Sequence, residues 1–166
     1  MLDKISLQQI EDARRLGKKI GLVQGAWDLF HIGHLKYLLK ARALCDFLVV
    51  AMDSDAKISK RKGSGRPVIS QSERYDFIQL LGIADCIVIK DTNEPKWETI
   101  RTLRPDVLIA IKDNYSDVQI VELEEFCGKI EILPRQSKTS TSQQKKILTT
   151  SFLLTLQMVK HVTLTT

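Results

Sequence analysis

The sequence predicts an α/β domain: a five-stranded parallel sheet, doubly wound, with helices on both faces. Three observations lead there. Short apolar runs alternate with stretches of helical spacing from Lys19 to Leu133, the pattern of a sheet built from βα units. One of them, Phe47 to Met52, is continuous in apolar residues, as buried parallel strands are. Glycines and capping boxes fall at the junctions between them.

The elements follow in order. Ser6-Leu-Gln-Gln9 reads as a capping box for a first helix to about Leu16, with Gly17 as its stop. Lys19 to Gln24 is a strand ending at Gly25. Ile32 to Leu44 carries leucines at 35, 38, 39 and 44, a helical spacing. Phe47 to Met52 is a buried strand. The basic run Lys57-Ile-Ser-Lys-Arg-Lys62 reads as a polar loop. Ser70-Gln-Ser-Glu73 caps a helix to Leu81, with Gly82 after it. Cys86 to Ile89 is a strand, and Pro95 to Leu103 a helix with proline at its start. Asp106 to Ile111 is a strand, Asp117 to Phe126 a helix ended by Gly128, and Lys129 to Leu133 the fifth strand. Ser140 to about Val162 is expected to be a final helix.

The 166 residues suit a single domain with one core. That core is expected over about 18–148, with a C-terminal helical extension over about 140–166. Hydrophobic content of 43% beside 27% charged residues is that of a globular protein. No apolar run approaches the roughly 20 residues that cross a bilayer, and the N-terminus lacks the apolar stretch of a signal peptide. A cytoplasmic protein without membrane contact is expected. Cys45, Cys86 and Cys127 form no C-x-x-C pair and read as reduced thiols. With three histidines, two in one tetrapeptide, the chain offers no zinc set. A net charge of +5 fits a small polyanion such as a nucleotide and does not call for nucleic acid.

In sheets of this kind ligands bind beyond the carboxyl ends of the strands. The first strand ends at Gly25, which permits a turn and a close approach of phosphate. Ala26, Trp27, Asp28, Leu29 and Phe30 lead to His31-Ile-Gly-His34 at the next helix start. That helix offers unpaired N–H groups and a partial positive charge to an anion. His31 and His34, three residues apart, can face one ligand, and Gly33 leaves room between them.

Gly25-Ala-Trp-Asp-Leu-Phe-His-Ile-Gly-His34 resembles the G-x-F-D-x-x-H-x-G-H signature of the cytidylyltransferase-like nucleotidyltransferases, with Trp27 where that family usually has Phe. The resemblance implies a Rossmann-like fold. Asp53-Ser-Asp55, the basic segment ending Lys62-Gly63, Arg66-Pro-Val68 and Ser72-Glu-Arg74 look like the N-S-D, K-x-x-K-G, R-P-V and E-x-R of heptose-1-phosphate adenylyltransferase domains. Leu133-Pro-Arg135 and Thr139-Ser-Thr-Ser142 look like that branch's closing P-R and I-S-T-T. The match spans about 4–148. His31-Ile-Gly-His34 with Lys57-Ile-Ser-Lys-Arg61 also resembles the HIGH and KMSKS motifs of class I aminoacyl-tRNA synthetases. A large part of the catalytic domain separates those two in synthetases, which argues against that reading.

The resemblance implies an adenylyltransferase: AMP passes from ATP to a sugar phosphate such as heptose 1-phosphate, and pyrophosphate leaves. His31, His34, Lys60 and Lys62 would act on the phosphates. Gly25, Ala26, Trp27, Asp28, Gly33, Arg74, Asp113, Arg135, Ser140 and Thr141 would bind the nucleotide. Mg²⁺ would accompany the triphosphate without protein ligands, and a homodimer is implied. Plainer roles stay open: Asp28 as a turn residue, Arg74 as a structural one, the basic run as a solvated loop, Ser140 and Thr141 as an N-cap. Other open readings are a cytidylyltransferase for glycerol 3-phosphate or phosphoethanolamine, an FMN adenylyltransferase, and a non-catalytic nucleotide-binding protein. The chain departs from the family at Ile111-Lys-Asp-Asn-Tyr115, where G-G-D-Y or G-D-D-W is usual, so ATP against CTP is the least determined point. Cys45 and the pair Lys138 and Thr139 are further departures.

Overall fold

The computed structural model describes residues 2–137. Its elements are α1 (Lys4–Arg15), β1 (Ile20–Gly25), α2 (Ile32–Arg42), β2 (Phe47–Asp53), α3 (Asp55–Lys62), α4 (Gln71–Leu80), β3 (Cys86–Lys90), α5 (Glu98–Leu103), β4 (Val107–Ile111), α6 (Asp117–Glu124) and β5 (Lys129–Leu133). The final helix expected from Ser140, with Ser140 and Thr141 themselves, lies outside the described residues. No helix among the described residues is long and apolar enough to cross a membrane.

The five strands form one parallel sheet in the order β3-β2-β1-β4-β5. The period-two alternation of strand side chains divides the core in two. Ile20, Leu22, Val49, Ala51, Val88 and Leu108 pack on one face, together with Ile10 of α1, Ile100 of α5 and Leu123 of α6. Val23, Leu48, Val50, Met52 and Ile109 pack on the other, against Tyr37 and Leu38 of α2 and Ile78 of α4. Every residue of β2 is buried, which accounts for its unbroken apolar run. Tyr37 brings a polar tip into this part of the core, and its hydroxyl donates to the Ile109 carbonyl at 2.6 Å. Burial raises its pKa far above the usual phenol range.

The strands stand where the sequence placed them; several helices do not. The first helix begins two residues before Ser6, because the Asp3 carboxylate takes both the Ser6 N–H at 2.8 Å and the Ser6 hydroxyl at 2.7 Å. The basic run expected to be a loop is helix α3. Ser54 caps it by accepting from the Lys57 N–H, and Lys60, Arg61 and Lys62 occupy its last turn, where cations complement the helix dipole. Ile58 is its sole buried residue, so no apolar period marks it in the sequence. The helix expected from Pro95 begins only at Glu98, because Trp97 is held in the left-handed region at φ 64°. Gly25 lies outside that region, so it does not serve as a turn glycine. A Cβ there would stand 3.0 Å from the indole of Trp27, so its missing side chain makes room for that ring.

Arg74 of α4, 2% exposed, ties the site's supports together. Its guanidinium donates to the carbonyls of Ala26 and Asp53, the latter at 3.0 Å, to the Ile69 carbonyl at 3.1 Å, and to the Asp55 carboxylate at 2.6 Å. Those groups belong to the loop after β1, the end of β2, the approach to α4 and the start of α3. The other oxygen of Asp55 accepts from the Gln71 N–H at 3.0 Å, locking the starts of α3 and α4 to each other. Replacing Arg74 by Met leaves three carbonyls without donors. The Asp55 carboxylate is half-exposed and stays hydrated, so the cost comes from the carbonyls left unsatisfied, about 1–3 kcal/mol for each that is buried. Urea unfolding of Arg74→Met should show a loss of that size with an unchanged m-value; a loss below about 1 kcal/mol would contradict this role.

Candidate active site

The carboxyl ends of the strands and the loops after them enclose a cleft of about 680 Å³, within the range of small-ligand sites. A second groove of about 550 Å³ lies beside β3, with carboxylates at Asp3 and Asp85 and no cation among its lining residues. The first cleft carries Arg61, Lys62, Lys90 and Arg135 together with both histidines of α2, and so is the one suited to phosphates.

The start of α2 is built from the histidines themselves. His31 is the N-cap, and its Nδ1 accepts from the Gly33 N–H at 3.0 Å. The Nδ1 of His34 reaches back to accept from the His31 N–H at 3.3 Å. The pair forms a reciprocal capping box, with imidazoles where hydroxyl and carboxylate usually stand. Because each Nδ1 is an acceptor, each neutral ring carries its proton on Nε2. Two N–H donors are thus held on one helix end. The rings stack with centroids 4.1 Å apart, and Phe30 and Trp27 flank His34 at 5.1 and 5.6 Å. A Cβ at Gly33 would stand 2.8 Å from the His31 ring and 2.7 Å from Ser137, so the glycine admits that ring and the chain after β5.

Burial, with the charge of Arg135, lowers the pKa of His31. Burial, then His31 and Lys62, lowers that of His34 to about 4. Both rings are therefore neutral donors at neutral pH. Burial, then Arg61 and Arg66, lowers the pKa of Lys62.

Asp28 is 1% exposed and lines the cleft, where its charge opposes the lowering of the His34 pKa. It accepts from the Val68 and Ile69 N–H groups at 3.0 Å each and pairs with Arg66 at 3.3 Å. It thereby fastens the loop after β1 to the segment before α4. Trp27, at φ 56°, is buried beneath that loop, and its indole N–H donates to the Ala51 carbonyl at 3.4 Å.

The structure brings together Gly25, Ala26, Trp27, Asp28, His31, Gly33, His34, Lys62, Asp113 and Arg135 at the cleft. Asp113 and Arg135 pair at 3.1 Å on its β4–β5 side. Two expected residues are not brought there. Lys60 is exposed on α3 and does not line the cleft, because it lies two positions from Lys62, about 200° around the helix axis. Arg74 is buried behind the wall as a support, its guanidinium taken up by protein oxygens. The sequence reading missed Gln24, Asp53, Arg61, Lys90, Trp97 and Tyr115, all of which line the cleft. A signal for three of them was present: Gln24, Asp53 and Lys90 are polar residues at or next to the last position of an apolar strand.

A parallel sheet with a phosphate-suited helix start after its central strand defines a nucleotide-binding α/β domain. The model of the family described as cytidylyltransferase-like matches residues 22–160, and the chain belongs to this family of nucleotidyltransferases. It is 38% identical over 135 residues to the bifunctional protein HldE of Syntrophotalea carbinolica, covering 80% of this chain and 27% of that protein. It is 39% identical over 126 residues to the protein of the same name from Campylobacter jejuni subsp. doylei, covering 76% of this chain and 27% of the relative. The chain thus spans about a quarter of the length of these curated relatives. Among solved structures, a lipopolysaccharide core biosynthesis protein from Thermoplasma volcanium has a similar fold, with a TM-score of 0.59 at 23% identity, over 75% of this chain and all of that one. A pantoate-beta-alanine ligase from Francisella tularensis has a TM-score of 0.56 at 15% identity, over 82% of this chain and 67% of that one. These two likenesses concern the fold alone.

The lowered pKa of His34 has a consequence for stability. Its folded pKa of about 4 lies below the value of about 6.5 for an unfolded histidine. The stability that depends on the neutral ring is fully present above pH 6.5 and is lost as pH falls toward 4. His34→Gln keeps a side-chain acceptor but cannot titrate. The difference in unfolding free energy between wild type and His34→Gln should fall across that window; a constant difference from pH 7 to 4 would contradict a buried neutral ring.

Proposed function

We propose that this protein transfers AMP from ATP to a sugar phosphate of the heptose 1-phosphate type and releases pyrophosphate. The single observation that carries this reading is the pair of Nε2–H donors set at the start of α2 by its capping box. An acceptor phosphate oxygen would attack the α-phosphorus in line, with pyrophosphate leaving on the opposite side. No protein nucleophile is required, and catalysis comes from positioning and charge stabilisation. His31 and His34 would donate to the phosphoryl oxygens as charge builds on them. Lys62 would neutralise the incoming or leaving phosphate, and Arg135 would close on the nucleotide from the β5 side. The similarity to the HldE proteins, with the match of residues 53–74 to the adenylyl-transferring branch, supports ATP and a sugar phosphate as the substrates.

Asp28 and Asp53 are committed to ion pairs. Among the described residues no three His, Cys, Asp or Glu side chains come together to cage a metal. A Mg²⁺ ion is proposed to arrive on the triphosphate, and it would take phosphate oxygens and water as ligands. The ion supplies charge neutralisation on the phosphates when bound. A homodimer in the cytoplasm is part of the same proposal and rests on the family resemblance.

One observation favours a second reading, CTP in place of ATP. Ile111 lines the cleft, and a 3-10 turn over Lys112–Asn114 follows it where family members carry glycines. The added side chains narrow that end toward a pyrimidine. A pyrophosphate-release assay with Mg²⁺, crossing ATP and CTP with heptose 1-phosphate and glycerol 3-phosphate, separates these readings. The expected result is turnover with ATP and the sugar phosphate. His31→Ala and His34→Ala should each lower kcat by about 10²–10³-fold, while Lys60→Met, away from the cleft, leaves it unchanged. Near-wild-type kcat in both histidine variants would overturn the mechanism, and faster turnover with CTP would overturn the choice of base.

A further inference from the structure

The cleft has two ends. The start of α2, after the central strand β1, stands between them. On the β4–β5 side lie Ile111, the turn over 112–114 and the Arg135–Asp113 pair. On the β2–β3 side lies a polar cluster that the phosphate chemistry does not use. Asp53 and Lys90 are register partners at the last positions of the neighbouring strands β2 and β3. The Lys90 ammonium stands 3.0 Å from the Asp53 carboxylate and donates to the Gln24 side-chain carbonyl at 2.8 Å. Arg61 of α3 pairs with the second Asp53 oxygen at 2.8 Å. Side-chain exposure is 13% for Lys90 and 1% for Asp53, so these charges were taken out of water and fixed in place.

Burying an ion pair in a core is at best weakly stabilising compared with apolar packing. This one lies at a cleft wall, at the ends of two strands that are otherwise apolar. An ammonium has three donors. Gln24 accepts from one, the Asp53 carboxylate stands beside the ammonium as its ion-pair partner, and because Lys90 lines the cleft a further donor can reach a ligand. Asp53 fixes the place of the ammonium; burial lowers the pKa of Lys90, and the Asp53 carboxylate opposes that shift. The wall beyond is made by Trp97 and Tyr115, whose rings lie 5.7 Å apart. Trp97 holds its left-handed backbone there, a conformation that costs about 1–3 kcal/mol and persists where surrounding structure enforces it. One directed cationic donor beside two aromatic faces suits a polyhydroxylated body, with hydroxyl groups toward Lys90 and C–H faces toward the rings. It does not suit the flat edge of a nucleobase, which would have to desolvate the charges.

We propose that Lys90, oriented by Asp53 and Gln24, is the residue that recognises the body of the acceptor, and that it selects a sugar phosphate over a short alcohol phosphate by donating to a sugar hydroxyl. This rests on the reading of the cleft as a site of nucleotidyl transfer to an acceptor phosphate. Lys90 is a specificity residue, whereas Asp53 is a positioning residue that acts through it.

The test is calorimetric titration of heptose 1-phosphate, glycerol 3-phosphate and inorganic phosphate, each in the presence of Mg²⁺ and a non-hydrolysable ATP analogue, and of that analogue alone. The proteins are wild type, Lys90→Met, Lys90→Arg and the double variant Asp53→Asn with Lys90→Met, which leaves no lone buried carboxylate. Loss of a charge-assisted hydrogen bond should weaken heptose 1-phosphate about ten-fold or more in both Met variants. Inorganic phosphate and the ATP analogue should change by less than about two-fold on the same grounds, since neither would reach Lys90. Lys90→Arg should recover part of the loss. Unchanged sugar-phosphate affinity, or equal weakening of sugar phosphate, phosphate and nucleotide, would overturn the assignment. Wild-type preference for glycerol 3-phosphate would refute the sugar-phosphate reading of the function and Lys90's proposed selectivity. A specific loss of that ester in Lys90→Met would still place Lys90 at the acceptor. Absence of binding by every ester to wild type would overturn both.

Discussion

The backbone N–H groups at the first turn of α2 are the constraint from which the rest of the site follows. A helix start leaves such donors unpaired, and they need acceptors. Here the acceptors are the Nδ1 atoms of His31 and His34. That choice fixes the tautomer and direction of both rings at once. It leaves the opposite nitrogens as donors, and it requires neutral rings, which burial and the nearby cations also favour. A protonated His34 would set N–H against N–H and add a charge beside Lys62. The chemistry of the cleft is therefore coupled to the integrity of one helix cap.

Much of the remaining structure keeps that cap in place. The loop before α2 passes through left-handed conformations at Trp27 and Leu29, which carry a steric cost. Three fixtures offset it: Trp27 buried over Gly25, Asp28 bound to the Val68 and Ile69 amides, and Arg74 bound to the Ala26 carbonyl. Asp28 and Arg74 come from motifs that resemble a nucleotide site, and both also hold the loop through hydrogen bonds to neighbouring segments.

Sequence made the sheet legible because its strands are short and apolar-rich between helical stretches, and β2, buried throughout, reads as an unbroken apolar run. The histidine pair was legible because strand, glycine, loop and helix stand in immediate succession. What stayed hidden has physical causes. Helix α3 buries only Ile58, so neither period nor hydrophobicity distinguishes it from a basic loop. The late start of α5 depends on the conformation of a single residue, Trp97. The Gln24–Lys90–Asp53–Arg61 cluster unites residues up to 66 positions apart, and only the strand order brings their chain ends side by side. The fate of Lys60 against Lys62 turned on helical phase, invisible while the segment was read as a loop.

The central claim, that helix capping by both Nδ1 atoms leaves two neutral rings with Nε2–H donors in the cleft, is open to direct measurement. Long-range ¹H–¹⁵N correlation spectra of the histidine rings at neutral pH report the tautomer of each. The account predicts that His31 and His34 both show a protonated Nε2 and an unprotonated Nδ1, while His161, elsewhere in the sequence, serves as the internal comparison. An Nδ1–H tautomer or an imidazolium pattern at either His31 or His34 would contradict it.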